Sequence, residues 1–271
     1  MLRMKNDIKA AYAEGQLRQE IVQGNNLLPD PNITKYQNAY LAWINSVESL
    51  LRSLFIDPEV WKHLYDDRHW QIYNLHKESL RSNELIHTAI SVQTTWLSEL
   101  ADRLKRLTDR VKVAPGLLTV LDTNILLHYL PLKEIKWSSI VDSQQVCLIL
   151  PLRVIEEMDE KKYTARDDLA DRARRVLSQL RSLLTESKGE PTELCDNVTI
   201  EVSVYDEPRR RTLDADQEIL DYCRELVSSE GNVVLVTGDI GMQLRACASG
   251  IKVVDMPEKW LRRKPKPADG E

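Results

Sequence analysis

No stretch of this 271-residue chain approaches the ~20 consecutive apolar residues of a membrane-spanning helix, which argues against an integral membrane protein. Residues 1–19 alternate charged residues with Ala and Leu and lack the apolar centre of a signal peptide. The expected setting is therefore cytoplasmic, with no membrane partner. Cysteine is sparse. Cys147, Cys195, Cys223 and Cys247 are too far apart for a CxxC pair, which speaks against a zinc site. Cys147, Cys223 and Cys247 sit in apolar contexts and read as reduced core residues. Phe occurs once, while Tyr occurs nine times and Trp six. Excess positive charge is missing too, since the net charge is −5, a weak argument against a nucleic-acid binder.

What is present divides in two. Residues 1–112 carry 15 Lys and Arg against 14 Asp and Glu, whereas the rest carry 22 against 28. The first part reads as helical. Tyr40, Trp43, Ile44, Val47, Leu50, Leu51 and Leu54 recur at helical spacing between Tyr36 and Phe55. Asp57-Pro58 suits a cap and first turn for a new helix. Further helices are expected from about Trp70 or Leu75 to Ile90 and over Thr94–Val111, with a loop over Gly24–Thr34. Pro115-Gly116 marks a linker at 113–116. The helical domain over 1–112 is expected to bind a regulatory protein partner, dimerise or regulate the second half of the chain.

From residue 117 the pattern changes. Leu117–Leu121, Val146–Leu150, Val198–Val204, Asn232–Thr237 and Ile251–Asp255 read as strands, several of them nearly continuous in Val, Ile and Leu. Helical stretches separate them, including the Arg-rich Ala165–Leu184. Strand and helix repeat about five times, the signature of a parallel sheet flanked by helices over 117–258. A basic, Pro-rich tail occupies 259–271. Thr123 and Asn124 suit the cap of the helix after the first strand.

Acids fall at strand ends or helix starts: Asp122, Glu157 (with Glu156 beside it), Asp216 (with Asp214 two residues before) and Asp239. In a parallel sheet such positions lie along one edge, where open α/β sheets bind ligands. Capping explains each alone. Gathered together, like charges are costly unless a cation joins them, and hard oxygen ligands suit Mg²⁺ or Mn²⁺. Basic clusters at Arg172–Arg175, Arg209–Arg211 and Arg262–Lys266 suit a phosphate backbone nearby or, more simply, a solvated face.

Four motifs in this order resemble the PIN-domain nucleases: Leu121-Asp122-Thr123-Asn124, Pro151–Asp159, Asp216-Gln217-Glu218-Ile219-Leu220 and Thr237-Gly238-Asp239. The long Ala/Arg helix after the second motif is nearest the PhoH-type and eukaryotic decay-type members. The resemblance spans about Leu117–Pro257, and its register selects Glu157 over Glu156. It implies a five-stranded parallel sheet and Mg²⁺- or Mn²⁺-dependent hydrolysis of phosphodiester bonds, usually in single-stranded RNA. Asp122 and Asp239 are then direct metal ligands, and Glu157 and Asp216 are ligands or orient water, with Asp214 the alternative third acid. Asn124 and Thr237 position Asp122 or the phosphate. Arg172, Arg175, Arg209, Arg210 and Arg211 are candidates for the RNA backbone. The expectation is an endoribonuclease acting as toxin, defence effector or processing enzyme. The alternatives are a non-catalytic nucleic-acid-binding scaffold and a DNA nuclease. Homo-oligomerisation is left open.

Overall fold

The stripe running from Tyr36 to Leu54 buries one face of a long helix, as its spacing requires. A computed structural model describes residues 3–5, 7–75, 81–185, 190–203 and 214–262. The described residues fall into two compact units. One runs to Lys112 and takes in Ser228–Glu230; the other comprises Val113–Val227 and the residues from Gly231 onward. No helix among the described residues is long and apolar enough to cross a membrane.

The first unit is helical: α1 (Ala10–Asn25), α2 (Ile33–Leu54), α3 (Pro58–Lys62), α4 (Asp67–Tyr73) and α5 (Ser82–Val113). Side chains of Asn32, Asp57 and Asp66 accept backbone N–H bonds at the starts of α2, α3 and α4, satisfying donors that have no partner inside the helix. Two expectations change. α1 continues to Asn25, past Gly24, whose missing side chain admits the Trp43 ring: a Cβ there would lie 2.5 Å from it. Trp70 belongs to α4, which ends at Tyr73, and the helix expected to end at Ile90 runs on into the one expected from Thr94 as α5, which starts at Ser82. No Gly or Pro interrupts Ser91–Gln93, and Gln93 and Thr94 are buried.

The second unit is α/β. Its elements are β1 (Leu117–Leu121), α6 (Thr123–His128), α7 (Ser138–Val141), β2 (Val146–Pro151), α8 (Leu152–Thr164), α9 (Asp167–Leu184), β3 (Thr192–Cys195), β4 (Val198–Ser203), α10 (Ala215–Ser228), β5 (Val233–Val236), α11 (Ile240–Ala248) and β6 (Lys252–Val254). The sheet order is β3-β4-β2-β1-β5-β6. Every neighbouring pair is parallel except β3–β4. The five expected parallel strands are thus joined by a sixth, antiparallel one at the edge. β3 is short and incompletely buried, so it lacks the continuous apolar run that marks a buried strand. Cys247 is also a correction: it is exposed, while Cys147 and Cys223 are buried. On α11, Met242 and Ala246 take the inward positions instead. Burial pushes the Cys223 thiol up to about 12.

β1 is central, and all five of its residues are buried. Gly116 leads into it with φ 132°, and a Cβ there would lie 2.5 Å from the Gln145 backbone; only glycine fits both conditions. After β1 the chain moves outward through β2 to β4, then crosses back to β5 on the other side of β1. The strand connections diverge there, leaving a crevice beyond the C-terminal ends of β1 and β5.

Candidate active site

Asp122 is the first residue beyond β1, and its N–H donates to the Val236 carbonyl at the end of β5 (3.2 Å). This backbone bond places the acid beside the next turn, Thr237-Gly238-Asp239. The fully buried Thr237 hydroxyl donates to Asp122 Oδ2 at 2.8 Å and accepts from the Asp239 N–H at 3.0 Å. One hydroxyl therefore ties the Asp122 carboxylate to the Asp239 backbone, using both its donor and acceptor capacity. Asp239 Oδ1 accepts from the Met242 N–H at 2.8 Å, capping α11.

Asp122 occupies the N-cap position of α6 but makes no side-chain cap bond. The expected capping role of Thr123 also changes, because its hydroxyl donates to the Glu157 carboxylate. Val154 and Met158 bury the inner face of α8, and Glu157 between them comes to the end of β1. Glu156 instead meets Arg153 Nη1 at 3.4 Å. Asn124, expected to position Asp122, makes no hydrogen bond to it among the described residues; the capping position and the Thr237 contact leave that task to Thr237.

The two acids near the start of α10 separate by role. Asp214 accepts from the Gln217 N–H at 3.3 Å and so caps the helix. Asp216, one turn position inside, is held by Arg245 Nη2 at 2.5 Å, while Arg245 Nη1 lies 3.1 Å from Asp214. Arg245 was invisible to motif reading, since it lies on α11, 29 residues from Asp216. Its only sequence signal is its place two turns into the helix that Asp239 opens.

Burial pushes the Asp122 carboxyl above its ordinary value, and the charges of Asp216 and Glu157 push it further. The Thr237 hydroxyl and the Thr123 N–H act the other way. Asp122, Glu157 and Asp216 therefore share one electrostatic neighbourhood; Asp239 is tied to it through its backbone N–H on Thr237, while its carboxylate caps α11. Among the described residues, no three His, Cys, Asp or Glu side chains are arranged as a metal-binding group. The donor chemistry nevertheless fits a hard divalent cation: the Asp122 carboxyl resists its own charge first through burial and then through the carboxylates of Asp216 and Glu157. Of the basic candidates, Arg172 Nη1 donates to the Leu127 carbonyl at 3.1 Å and Arg175 Nε to the Asp171 carbonyl at 3.2 Å, both from α9. Arg209, Arg210 and Arg211 lie outside the described residues.

A family model described as PIN domain matches residues 119–257. No curated protein matches the chain. Among solved structures, the chain is similar to a domain of a functionally unknown protein from Methanocaldococcus jannaschii DSM 2661. That likeness has 15% identity and a TM-score of 0.34, and covers 57% of this chain and 97% of that one.

Proposed function

Because the chain belongs to the PIN-domain family, whose fold is nuclease-like, we propose that it is a metal-dependent endoribonuclease hydrolysing phosphodiester bonds of single-stranded RNA. The observation that carries this reading is the buried Asp122, crowded by Glu157 and Asp216 and bonded to Thr237. In this reading Asp122 and Asp239 hold Mg²⁺ or Mn²⁺, and Glu157 and Asp216 hold the ion or orient water. The chemistry such an ion supplies when bound is Lewis acidity toward water and phosphate oxygen. Thr237 keeps Asp122 and the Asp239 backbone in register; Thr123 holds the Glu157 carboxylate toward the β1 end. Arg245 pairs with Asp216 and gives way when the ion binds. Asn124, half-buried on the first turn of α6, contacts the phosphate, and Arg172, Arg175 and Arg209–Arg211 serve the RNA backbone. The helical unit over 1–112 recruits or regulates, through a protein partner or a second copy. The setting is cytoplasmic.

The test is cleavage of labelled single-stranded RNA and DNA in Mn²⁺, Mg²⁺ or EDTA by wild type and Asp122→Asn. Expected is metal-dependent RNA cutting that falls at least about a hundredfold in the variant, as when a group that stabilises transition-state charge is lost. Equal cutting by both would refute the site, and preference for DNA would change the substrate. One observation favours a non-catalytic nucleic-acid-binding reading: Arg245 already supplies Asp216 with a positive partner in the place of a metal ion. That reading gains if wild type binds RNA equally with and without metal and never cuts.

A further inference from the structure

A cavity of about 290 Å³ lies between the end of α6 and the face of α9 and reaches Leu194 of β3. Leu126, Val176 and Leu183 contribute an apolar floor. Arg172, Arg175, Arg262 and Lys133 stand around it, and no Asp or Glu is among its described lining residues. Four cations from three separate segments converge there. The backbone holds this arrangement in place: the Arg262 N–H donates to the His128 carbonyl (3.0 Å), and Tyr129 bridges Leu261. Arg172 is anchored on the Leu127 carbonyl.

Tyr129 connects this cavity to the acids. It lines the cavity, and its hydroxyl lies only 3.1 Å from where a Cβ on Gly238 would stand. Gly238 is the middle of the Thr237-Gly238-Asp239 turn, so one residue of the cavity wall, Tyr129, also touches the candidate active site. The absent side chain at Gly238 permits that approach.

We infer that this cavity takes one nucleotide of the single-stranded substrate, flanking the phosphodiester that is cut. The base lies against the apolar floor, and the phosphates on either side meet the guanidiniums. This rests on the nucleic-acid reading proposed above. The volume is near the lower end of small-ligand pockets, roughly 300–1,000 Å³, which suits one nucleotide and not several. Several separated cations beside apolar surface match a chain of successive phosphates carrying a base. A fatty acid, with a single carboxylate, would leave most of these cations without a partner.

The test reads binding, not cutting, and uses the full chain in EDTA. Fluorescence anisotropy compares a short labelled single-stranded RNA with an abasic oligomer of the same length and charge. Wild type is expected to prefer the base-bearing strand about tenfold, in line with the gain per stacked or buried base. Ser182→Trp, which places a ring at the exposed rim of the cavity, is expected to abolish that preference while leaving the abasic affinity. Arg175→Gln is expected to weaken both ligands and reduce the salt slope by about one. Equal wild-type affinities, no binding of either strand, or a preference that survives Ser182→Trp would overturn the inference. So would adenosine monophosphate binding without competing against RNA, which would mark an independent mononucleotide site. A protein that shows the expected binding pattern but never cuts RNA keeps the cavity assignment and loses only the nuclease reading.

Discussion

Asp122 shows how one residue carries two opposed demands. Its backbone is held by the Val236 carbonyl and its carboxylate by the Thr237 hydroxyl, so it cannot turn toward solvent. The resulting burial raises its pKa. An acid with a raised folded pKa opposes folding when ionised, and the penalty fades as pH falls through that folded value. Asp122→Asn is therefore expected to unfold at a higher temperature than wild type in EDTA near neutral pH. The gap should close as pH falls toward the ordinary carboxylate value of 3.8. Added Mn²⁺ should stabilise wild type more than the variant. Thermal unfolding across pH checks this, and a variant less stable than wild type at every pH would show that Asp122 is not crowded. The acid itself was legible in the sequence because a strand end is legible. Its partner Thr237 was legible as a residue type, but the bond between them spans 115 positions. The reassignment of Thr123 from cap to Glu157 partner likewise depended on where α8 lies.

At the scale of elements, helices bring in what the strands cannot. α8 delivers Glu157 because Val154 and Met158 must face inward; that phase comes from the 3.6-residue repeat and was readable. α10 and α11 meet through Arg245, which joins both Asp214 and Asp216, and no repeat announces such a pairing. Arg245 adds a positive charge where the proposed function needs a metal ion, so the two compete. Arg245→Gln is expected to tighten Mn²⁺ binding several-fold by calorimetry, since a like charge nearby is worth on the order of 1 kcal/mol. Because these side chains are partly exposed, the same change should move stability by no more than about 0.5 kcal/mol. Weaker Mn²⁺ binding at unchanged stability would instead make Arg245 a support for Asp216. The edge strand β3 escaped reading because a four-residue, half-exposed segment has no buried face to leave a pattern.

At the scale of the whole molecule, each unit carries a core of its own, one of packed helices around α2 and α5 and one of a sheet with its helices. Leu51 is fully buried in the first. Leu51→Ala is expected to cost about 2–5 kcal/mol there, while Mn²⁺ should raise only the α/β unit. Scanning calorimetry checks this through two transitions that the mutation and the metal move separately. A single transition moved by both would mean that the units unfold together. The amino-acid sequence by itself determined the helical phases, five of the six strands and the positions of the acids. These come from local periodicity and from parallel strands ending on one edge. Tertiary structure alone decided that β1 lies between β2 and β5. It also decided that Thr237 serves Asp122, that Arg245 holds Asp216, and that Tyr129 backs Gly238. Each of these joins residues far apart in the chain through strand order and helix placement. Local propensity cannot express such contacts, because they depend on how the elements pack together.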